Sequence, residues 1–217
     1  MIKLFRFIKM IVSIFLLIEL IRGKFAIVFI LFLTLLLLIL SDILKKKIKY
    51  SDRLQLFIYI FIISTQIFGE IFSFYAKIFF FDTLMHMFSA FIISGLSIYV
   101  LKLLNNNSSW KLIISFMVCF SLAMACLWEV FEFTVDRVLN RDMQKDTVIT
   151  EIDSSLFSEN NKDVVNIKVY NTTLNNIDLV YYYGGYIDIG LYDTIYDVLA
   201  ALGGTLFYIL YKKSEAF

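Results

Sequence analysis

The feature that most constrains this chain is a series of apolar runs, each about as long as a helix that crosses a bilayer. A hydrocarbon core about 30 Å thick requires roughly 20 consecutive apolar residues in a helix. The chain has 217 residues, 60% of them hydrophobic, and six such runs cover residues 5–21, 25–44, 54–76, 78–101, 111–135 and 191–211. The pattern predicts an all-α polytopic membrane protein with about six transmembrane helices.

Polar segments divide the chain into three predicted parts. Residues 1–135 hold five helices, residues 191–217 hold the sixth helix with a short tail, and a polar segment, 136–190, separates them. That segment contains two stretches rich in β-forming residues, DVVNIKVYN and DLVYYYGGYIDIG, with Asn-Asn and Gly-Gly pairs typical of turns. It therefore predicts a small β-hairpin cap, or β-like insert, between the last two helices.

Basic residues near the ends of the runs predict the orientation, because cytoplasmic loops carry the excess of Lys and Arg. One side has only Arg22, Lys24 and Lys77 in its short loops. The other side has twelve basic residues: Lys3, Arg6, Lys9, Lys45, Lys46, Lys47, Lys49, Arg53, Lys102, Lys111, Lys212 and Lys213. We therefore expect the cytoplasmic membrane, with both termini cytoplasmic and the 136–190 insert extracytoplasmic.

Composition and residue counts exclude several classes of function. The net charge of +1 gives no field that would attract nucleic acid. A single histidine excludes histidine-dependent lipid phosphatases, histidine-rich desaturases and HExxH proteases, which need two or more, and no GxxxxGK[ST] loop is present for nucleotides. Cys119 and Cys126 lie seven residues apart in one apolar run and are interpreted as small buried hydrophobic residues.

Ionisable residues interrupt the last three runs near their predicted outer ends. Spacings of three or four put the members from each helix on one face, and the residues are Asp82, His86, Glu129, Glu132, Asp136, Asp193 and Asp197. Charges in lipid cost roughly 2.5–3.5 kcal/mol each at a helix centre, so such residues usually face the bundle interior and mark a site. The similar segments FDTLMHMF and YDTIYDVL indicate that the fourth and sixth helices present these groups in equivalent ways.

A divalent metal ion is the group that would neutralise this cluster. Oxygen ligands suit Mg²⁺ or Mn²⁺, and a histidine beside them admits Zn²⁺. The predicted metal ligands are Asp82, His86, Asp136, Asp193 and Asp197. Glu129 and Glu132 are the predicted catalytic residues, as a bridging ligand or as the general base that activates water.

Four of these residues also have a structural interpretation. A structural role for His86 is a hydrogen bond to a packed neighbour, and for the two glutamates it is pairing with Arg137 and Arg141 at the end of their helix. Asp193 suits the first turn of the sixth helix as a cap. Asp197 lies one turn further in, where capping does not explain it.

Three ordered motifs carry a resemblance to a known family: FDTLMHMFSAF, LWEVFEFTVD followed by RDMQ, and DTIYDVLAALGG. Over the last three helices they resemble the YjdF-type bacterial inner-membrane proteins, a family without an established activity. The family pattern falls here on Asp82, Thr83, His86, Trp128, Glu129, Glu132, Phe133, Asp136, Met143, Gln144, Asp193, Thr194, Asp197 and Gly203. The chain between the second and third motifs is longer than that pattern implies. A looser similarity to VanZ-like proteins points to the cell envelope.

Three classes of function stay open. The first is a metal-dependent cell-envelope enzyme or binding protein that acts on a lipid or cell-wall precursor. The second is a proton- or cation-coupled transporter, which would need a homo-oligomer and further polar groups towards the cytoplasm, where Ser64, Gln66, Ser94 and Ser115 are the modest candidates. The third is a structural or partner-binding membrane protein that uses its cap.

Overall fold

The computed structural model describes residues 1–105, 107–160 and 162–214, most of them in long helices. The helices are α1 (Ile2–Ile21), α2 (Phe25–Ile48), α3 (Asp52–Ile63), α4 (Phe74–Lys77), α5 (Phe81–Leu104), α6 (Trp110–Leu139), α7 (Leu179–Tyr183) and α8 (Leu191–Ser214). The strands are β1 (Thr147–Ile149), β2 (Glu151–Ser154), β3 (Val165–Lys168), β4 (Thr173–Leu174), β5 (Ile177–Asp178) and β6 (Tyr186–Asp188). The predicted fold class, mainly helical with a small β insert before the last helix, is confirmed.

Five helices in the described part of the chain are long and apolar enough to cross a membrane: α2, α3 with its continuation to Ile71, α5, α6 and α8. Only 22–39% of their most apolar stretches is buried inside the protein, so most of this apolar surface faces outwards, as lipid-facing helices do. The first predicted span forms the helix α1. Arg6, Lys9 and Glu19 interrupt it, and its crossing stays a prediction.

The boundary between the third and fourth spans differs from the expected break at residues 76–77. The third helix continues as π-helical turns over Ser64–Ile71, and Ser73 then adopts a left-handed conformation (φ 60°) before α4. The side chain of Tyr75 folds back against Gly69, where an added Cβ would lie 2.2 Å from its ring. The turn is thus closed by aromatic packing and by a hydrogen bond from Lys77 Nζ to the Phe72 carbonyl oxygen, without the Pro or Gly-rich sequence that marks most loops.

The chain divides into two compact units, which are described separately. The first comprises Met1–Cys126 and the chain from Asp197. Its main core lies among α1, α2, α3 and α5 and includes Phe5, Val12, Leu31, Leu38, Leu54, Ile58, Tyr59 and Ile92. A smaller contact of Ala90, Ala125 and Ala201 joins α5, α6 and α8. Cys119 and Cys126 are free thiols on the exposed face of α6, so the expectation that they are buried is wrong.

The second unit, Leu127–Tyr196, contains the β insert. Three antiparallel pairs, β1–β6, β2–β3 and β4–β5, replace the single hairpin that we expected. Asn175 and Asn176 both have positive φ and form the two-residue turn between β4 and β5. The segment LVYYY is helical instead of extended, because the preceding Asp178 accepts hydrogen bonds from the Val180 and Tyr181 N–H groups and Gly184 (φ 85°) ends the helix.

Candidate functional site

A buried group of three ionisable side chains lies in the first unit, where α5 meets α8. Asp82 and His86 are each 7% exposed, and Asp197 is 1% exposed. His86 Nε2 lies 3.6 Å from Asp82 Oδ1 and 3.5 Å from Asp197 Oδ2. One ligand atom from each residue falls within 4.8 Å of the other two, a spacing that suits a metal ion. We call these three residues the Asp–His–Asp site.

Local sequence explains two of the three members. Asp82 and His86 are four residues apart in α5, so both face the same side of that helix. Asp197 occupies the position in YDTIYDVL that His86 occupies in FDTLMHMF. Beyond the site the helices meet through Ala90 and Ala201, whose small side chains permit close approach.

Beyond the alanine contact, a cluster of hydroxyl groups joins the same three helices, α5, α6 and α8. Thr205 Oγ1 donates to Ser121 Oγ at 2.7 Å and accepts from Ser94 Oγ at 3.1 Å. The three buried residues come from three helices: Thr205 from α8, Ser121 from α6 and Ser94 from α5. Thr205 lies eight residues after Asp197, and Ser94 lies eight residues after His86. Hydrogen bonds of this kind across apolar helices help to set their depth relative to one another.

The two predicted catalytic glutamates belong to the second unit. Glu129 and Glu132 are each 5% exposed, and Glu132 Oε1 accepts a hydrogen bond of 2.7 Å from Trp128 Nε1 one turn earlier. Arg137 lies over the ring of Phe133, 5.3 Å from its centroid, and pairing of the glutamates with Arg137 or Arg141 stays a prediction. The catalytic roles of the two glutamates also stay predictions.

Asp136 and Asp193, two further predicted ligands, bind the backbone of one short segment of the second unit. Asp136 accepts from Met143 N at 2.7 Å and from Gln144 N at 3.0 Å. Asp193 accepts from Lys145 N at 2.8 Å, and the Gln144 side chain donates to Thr194 at 2.7 Å. The Met-Gln motif is therefore a structural connection between the end of α6 and the start of α8.

The first turn of α8 is capped by another aspartate. Asp188 accepts from Tyr192 N at 3.0 Å. Asp193 lies in the first turn itself, where the helix dipole favours a carboxylate. Asp193 keeps its place as a predicted ligand and has an observed structural bond as well.

The change Asp136→Ala tests this connection. It removes the acceptor for two backbone N–H groups, and hydrogen bonds to a charged acceptor contribute about 1.5–3 kcal/mol each. We expect amide hydrogen exchange at residues 143–145 to become at least about tenfold faster. Asp142→Ala removes an exposed neighbour and is the matched control. Unchanged protection in Asp136→Ala would show that the segment is held by other contacts.

A comparison with known families places almost the whole chain in one of them. Residues 1–213 match the model of DUF2238, a family described as predicted membrane protein. The chain belongs to the DUF2238 family. No curated protein and no solved structure matches it. The DUF2238 match covers α1 to α8, whereas the motif resemblance covered only the last three spans. This DUF2238 chain is accordingly a membrane protein with a buried acidic and histidine group.

A second polar network in the DUF2238 chain had no counterpart in the sequence analysis. In the first unit, Asp42 accepts from Gln55 Nε2 and from the Tyr59 hydroxyl, each at 2.9 Å, and pairs with Lys9. Tyr50 donates to Gln55 Oε1 at 2.6 Å. Burial, with a smaller contribution from the charge of Asp42, raises the pKa of Tyr50, so its hydroxyl stays protonated and able to donate at alkaline pH, where an ordinary tyrosine ionises. We call these residues the Asp42 network.

Proposed function

We propose that this DUF2238 protein holds a divalent metal ion between Asp82, His86 and Asp197. The observation that supports the proposal is the distance from His86 Nε2 to the two carboxylate oxygens, 3.6 and 3.5 Å. Direct N–H···O hydrogen bonds are shorter, about 2.7–3.2 Å. Two ligand atoms bound to one tetrahedral metal at about 2.0–2.1 Å lie roughly 3.3 Å apart, close to the distances observed.

Charge and burial support the same proposal. Two carboxylates beside one imidazole, all three buried, would carry an excess negative charge when ionised, and a dication would balance it. One nitrogen and two carboxylate oxygens form a mixed ligand set that suits Zn²⁺ or Mn²⁺, and Mg²⁺ is also compatible if water completes its shell.

The reaction that we propose is metal-assisted chemistry on a phosphorylated lipid or lipid-linked cell-wall precursor. A bound divalent ion would polarise a phosphoryl oxygen or lower the pKa of a water molecule. The looser similarity to VanZ-like proteins supports an envelope substrate. The helical spacing of Glu129 and Glu132 supports one of them as bridging ligand or general base. Asp136 and Asp193 are weaker candidates for ligands, because their carboxylates hold backbone N–H groups.

The proposed location is the cytoplasmic membrane, with both termini in the cytoplasm. The excess of twelve basic residues over three at the two sets of helix ends supports this orientation. Asp82 opens α5 and Asp197 lies in the second turn of α8, so the Asp–His–Asp site would then face the outer leaflet.

Elemental analysis of the detergent-purified protein tests the proposal. We expect about one equivalent of metal in the wild type and none in Asp82→Ala/His86→Ala, because the double change removes two of three ligands. Glu70→Gln removes an exposed carboxylate elsewhere in the same unit and is the control that should keep its metal. Size-exclusion chromatography of all three proteins separates loss of metal from loss of fold.

A defined result would overturn the metal proposal. Equal trace metal in all three proteins, with no change in melting temperature on addition of Mn²⁺, Zn²⁺ or Mg²⁺, would remove the metal site. The second candidate, a proton-coupled transporter, would then take precedence. The buried hydroxyl groups of Ser94, Ser121 and Thr205 favour it, because they continue the polar line beyond the Asp–His–Asp site. Proton uptake into proteoliposomes, present in wild type and absent in His86→Ala, would identify it.

A further inference from the structure

One end of the first unit carries more basic residues than the acidic residues beside them can neutralise. The contacts of Lys9 with Asp42 and of Lys45 with Asp52 occupy the two carboxylates there. The remaining basic residues near this end of α1 and α2 are Lys3, Arg6, Lys46, Lys47 and Lys49. Among the described residues none of these five forms an ion pair, and all are exposed.

Packing brings the five cations to the same end, although they come from opposite ends of α1 and α2. The Phe5 ring lies 4.7 Å from the Tyr59 ring, and Lys45 Nζ lies 5.6 Å from the Phe5 centroid. Lys9 pairs with Asp42, one turn before Lys45. The start of α1 therefore lies beside the end of α2, so the five cations lie at one end of the first unit, which we call the basic end.

The surroundings of the basic end match the boundary between lipid and water. Exposed apolar side chains of α1 and α2, such as Leu4, Phe7 and Leu44, lie within two residues of the cations in sequence. Tyrosines are common at the headgroup level, and here the Tyr99 hydroxyl accepts from Ser51 N at 3.2 Å, in the short connection between α2 and α3. Lys102 Nζ lies 5.8 Å from the Tyr99 ring, which adds α5 to the same end.

We propose that the basic end, formed by Lys3, Arg6, Lys46, Lys47 and Lys49, binds the headgroups of anionic phospholipids. Clusters of four to eight basic residues next to a transmembrane helix attract anionic lipids, with about a fivefold gain in affinity for each side chain. The apolar residues beside the cations favour a bilayer over a soluble phosphate compound, because a bilayer covers both kinds of surface. The proposal is independent of the metal site.

The test compares phosphatidylglycerol with phosphatidylcholine in mixed micelles containing the full-length protein. Native mass spectrometry measures how much of each lipid stays bound. We expect wild type to prefer phosphatidylglycerol, and this preference to fall about a hundredfold in Lys46→Gln/Lys47→Gln/Lys49→Gln. The matched control, Arg141→Gln/Lys162→Gln/Lys168→Gln, removes three exposed charges from the second unit and should keep the preference.

Salt and a soluble competitor complete the test. The preference should weaken between 0.1 M and 1 M salt, because the Debye length falls from about 10 Å to about 3 Å. Glycerol phosphate at the same concentration should not displace phosphatidylglycerol. Equal binding of the two lipids, unchanged preference in the triple α2 variant, or full displacement by glycerol phosphate would each overturn the proposal. Equal melting temperatures of the variants in phosphatidylcholine micelles exclude a folding defect.

Discussion

Gly204→Ala is expected to prevent α8 from packing against α5 and to lower the yield of folded protein severely. A Cβ at Gly204 would lie 1.9 Å from the Met87 carbonyl oxygen and 2.8 Å from its carbon. Both are backbone atoms of α5, so no side chain can rotate away and the helices must separate. Overpacking typically costs about 1–3 kcal/mol, and we expect a loss at or above the upper end of that range.

The neighbouring glycine is a matched control for this change. A Cβ at Gly203 would meet only Met87 Cε, at 3.9 Å, which is ordinary van der Waals contact. Alanine also favours a helix over glycine by about 0.8–1.0 kcal/mol. Thermal unfolding of the purified proteins should therefore show Gly203→Ala at or above the wild-type melting temperature and Gly204→Ala far below it. Equal melting temperatures would mean that α5 and α8 do not approach each other at Met87.

Separation of α5 and α8 also has a consequence for the Asp–His–Asp site. His86 and Asp197 come from these two helices, and Met87 follows His86 directly. If the proposed metal binds there, any folded Gly204→Ala protein should hold it more weakly than Gly203→Ala does. Titration with Mn²⁺, followed by electron paramagnetic resonance, measures this difference.

Asp42→Ala is expected to destabilise the first unit strongly through the Asp42 network. The change leaves the Gln55 amide and the Tyr59 hydroxyl without the acceptor that binds both, and both of these residues are fully buried. An unsatisfied buried donor costs about 1–3 kcal/mol, so we expect a total loss of about 2–4 kcal/mol. Lys9 loses its partner at the same time. Chemical unfolding in detergent measures the free energy.

Asp52→Ala provides the comparison for this prediction. Asp52 also pairs with a lysine, Lys45, but its side chain is 55% exposed and water replaces the contact. We expect its free energy of unfolding to stay close to that of the wild type. If the two alanine variants unfold alike, the Asp42 network contributes little beyond a surface ion pair. Asp42→Asn should fall between wild type and Asp42→Ala, because it keeps an acceptor and loses the charge.

Several features of the fold follow from local sequence alone. The last five predicted spans all correspond to apolar helices, because the length of an apolar run is a local property that the bilayer selects. The turn at Asn175 and Asn176 follows from residues that tolerate positive φ. The segment LVYYY was misread as extended, because β-forming aromatic residues outweighed the capping signals of Asp178 and Gly184.

Some contacts of the polar residues were likewise predictable from local sequence, and others were not. The pair Asp82 and His86 was predictable from a spacing of four, and Asp197 from its equivalent place in the second motif. The observed bond from Lys145 N to Asp193 was not, since it joins residues 48 positions apart. The Asp42 network was missed because Asp42 lies beside a run of lysines and resembles part of a solvated helix end.

The sequence by itself determined the class of this protein, since membrane insertion depends on the summed hydrophobicity of each segment. It also indicated which residue types form a site. Only the tertiary structure decided which of them meet, because that depends on the depth and rotation of each helix against its neighbours. Gly203 and Gly204 are equivalent in the sequence, and packing makes only Gly204 critical, since it alone faces the backbone of α5. The same packing sets Asp197 opposite His86.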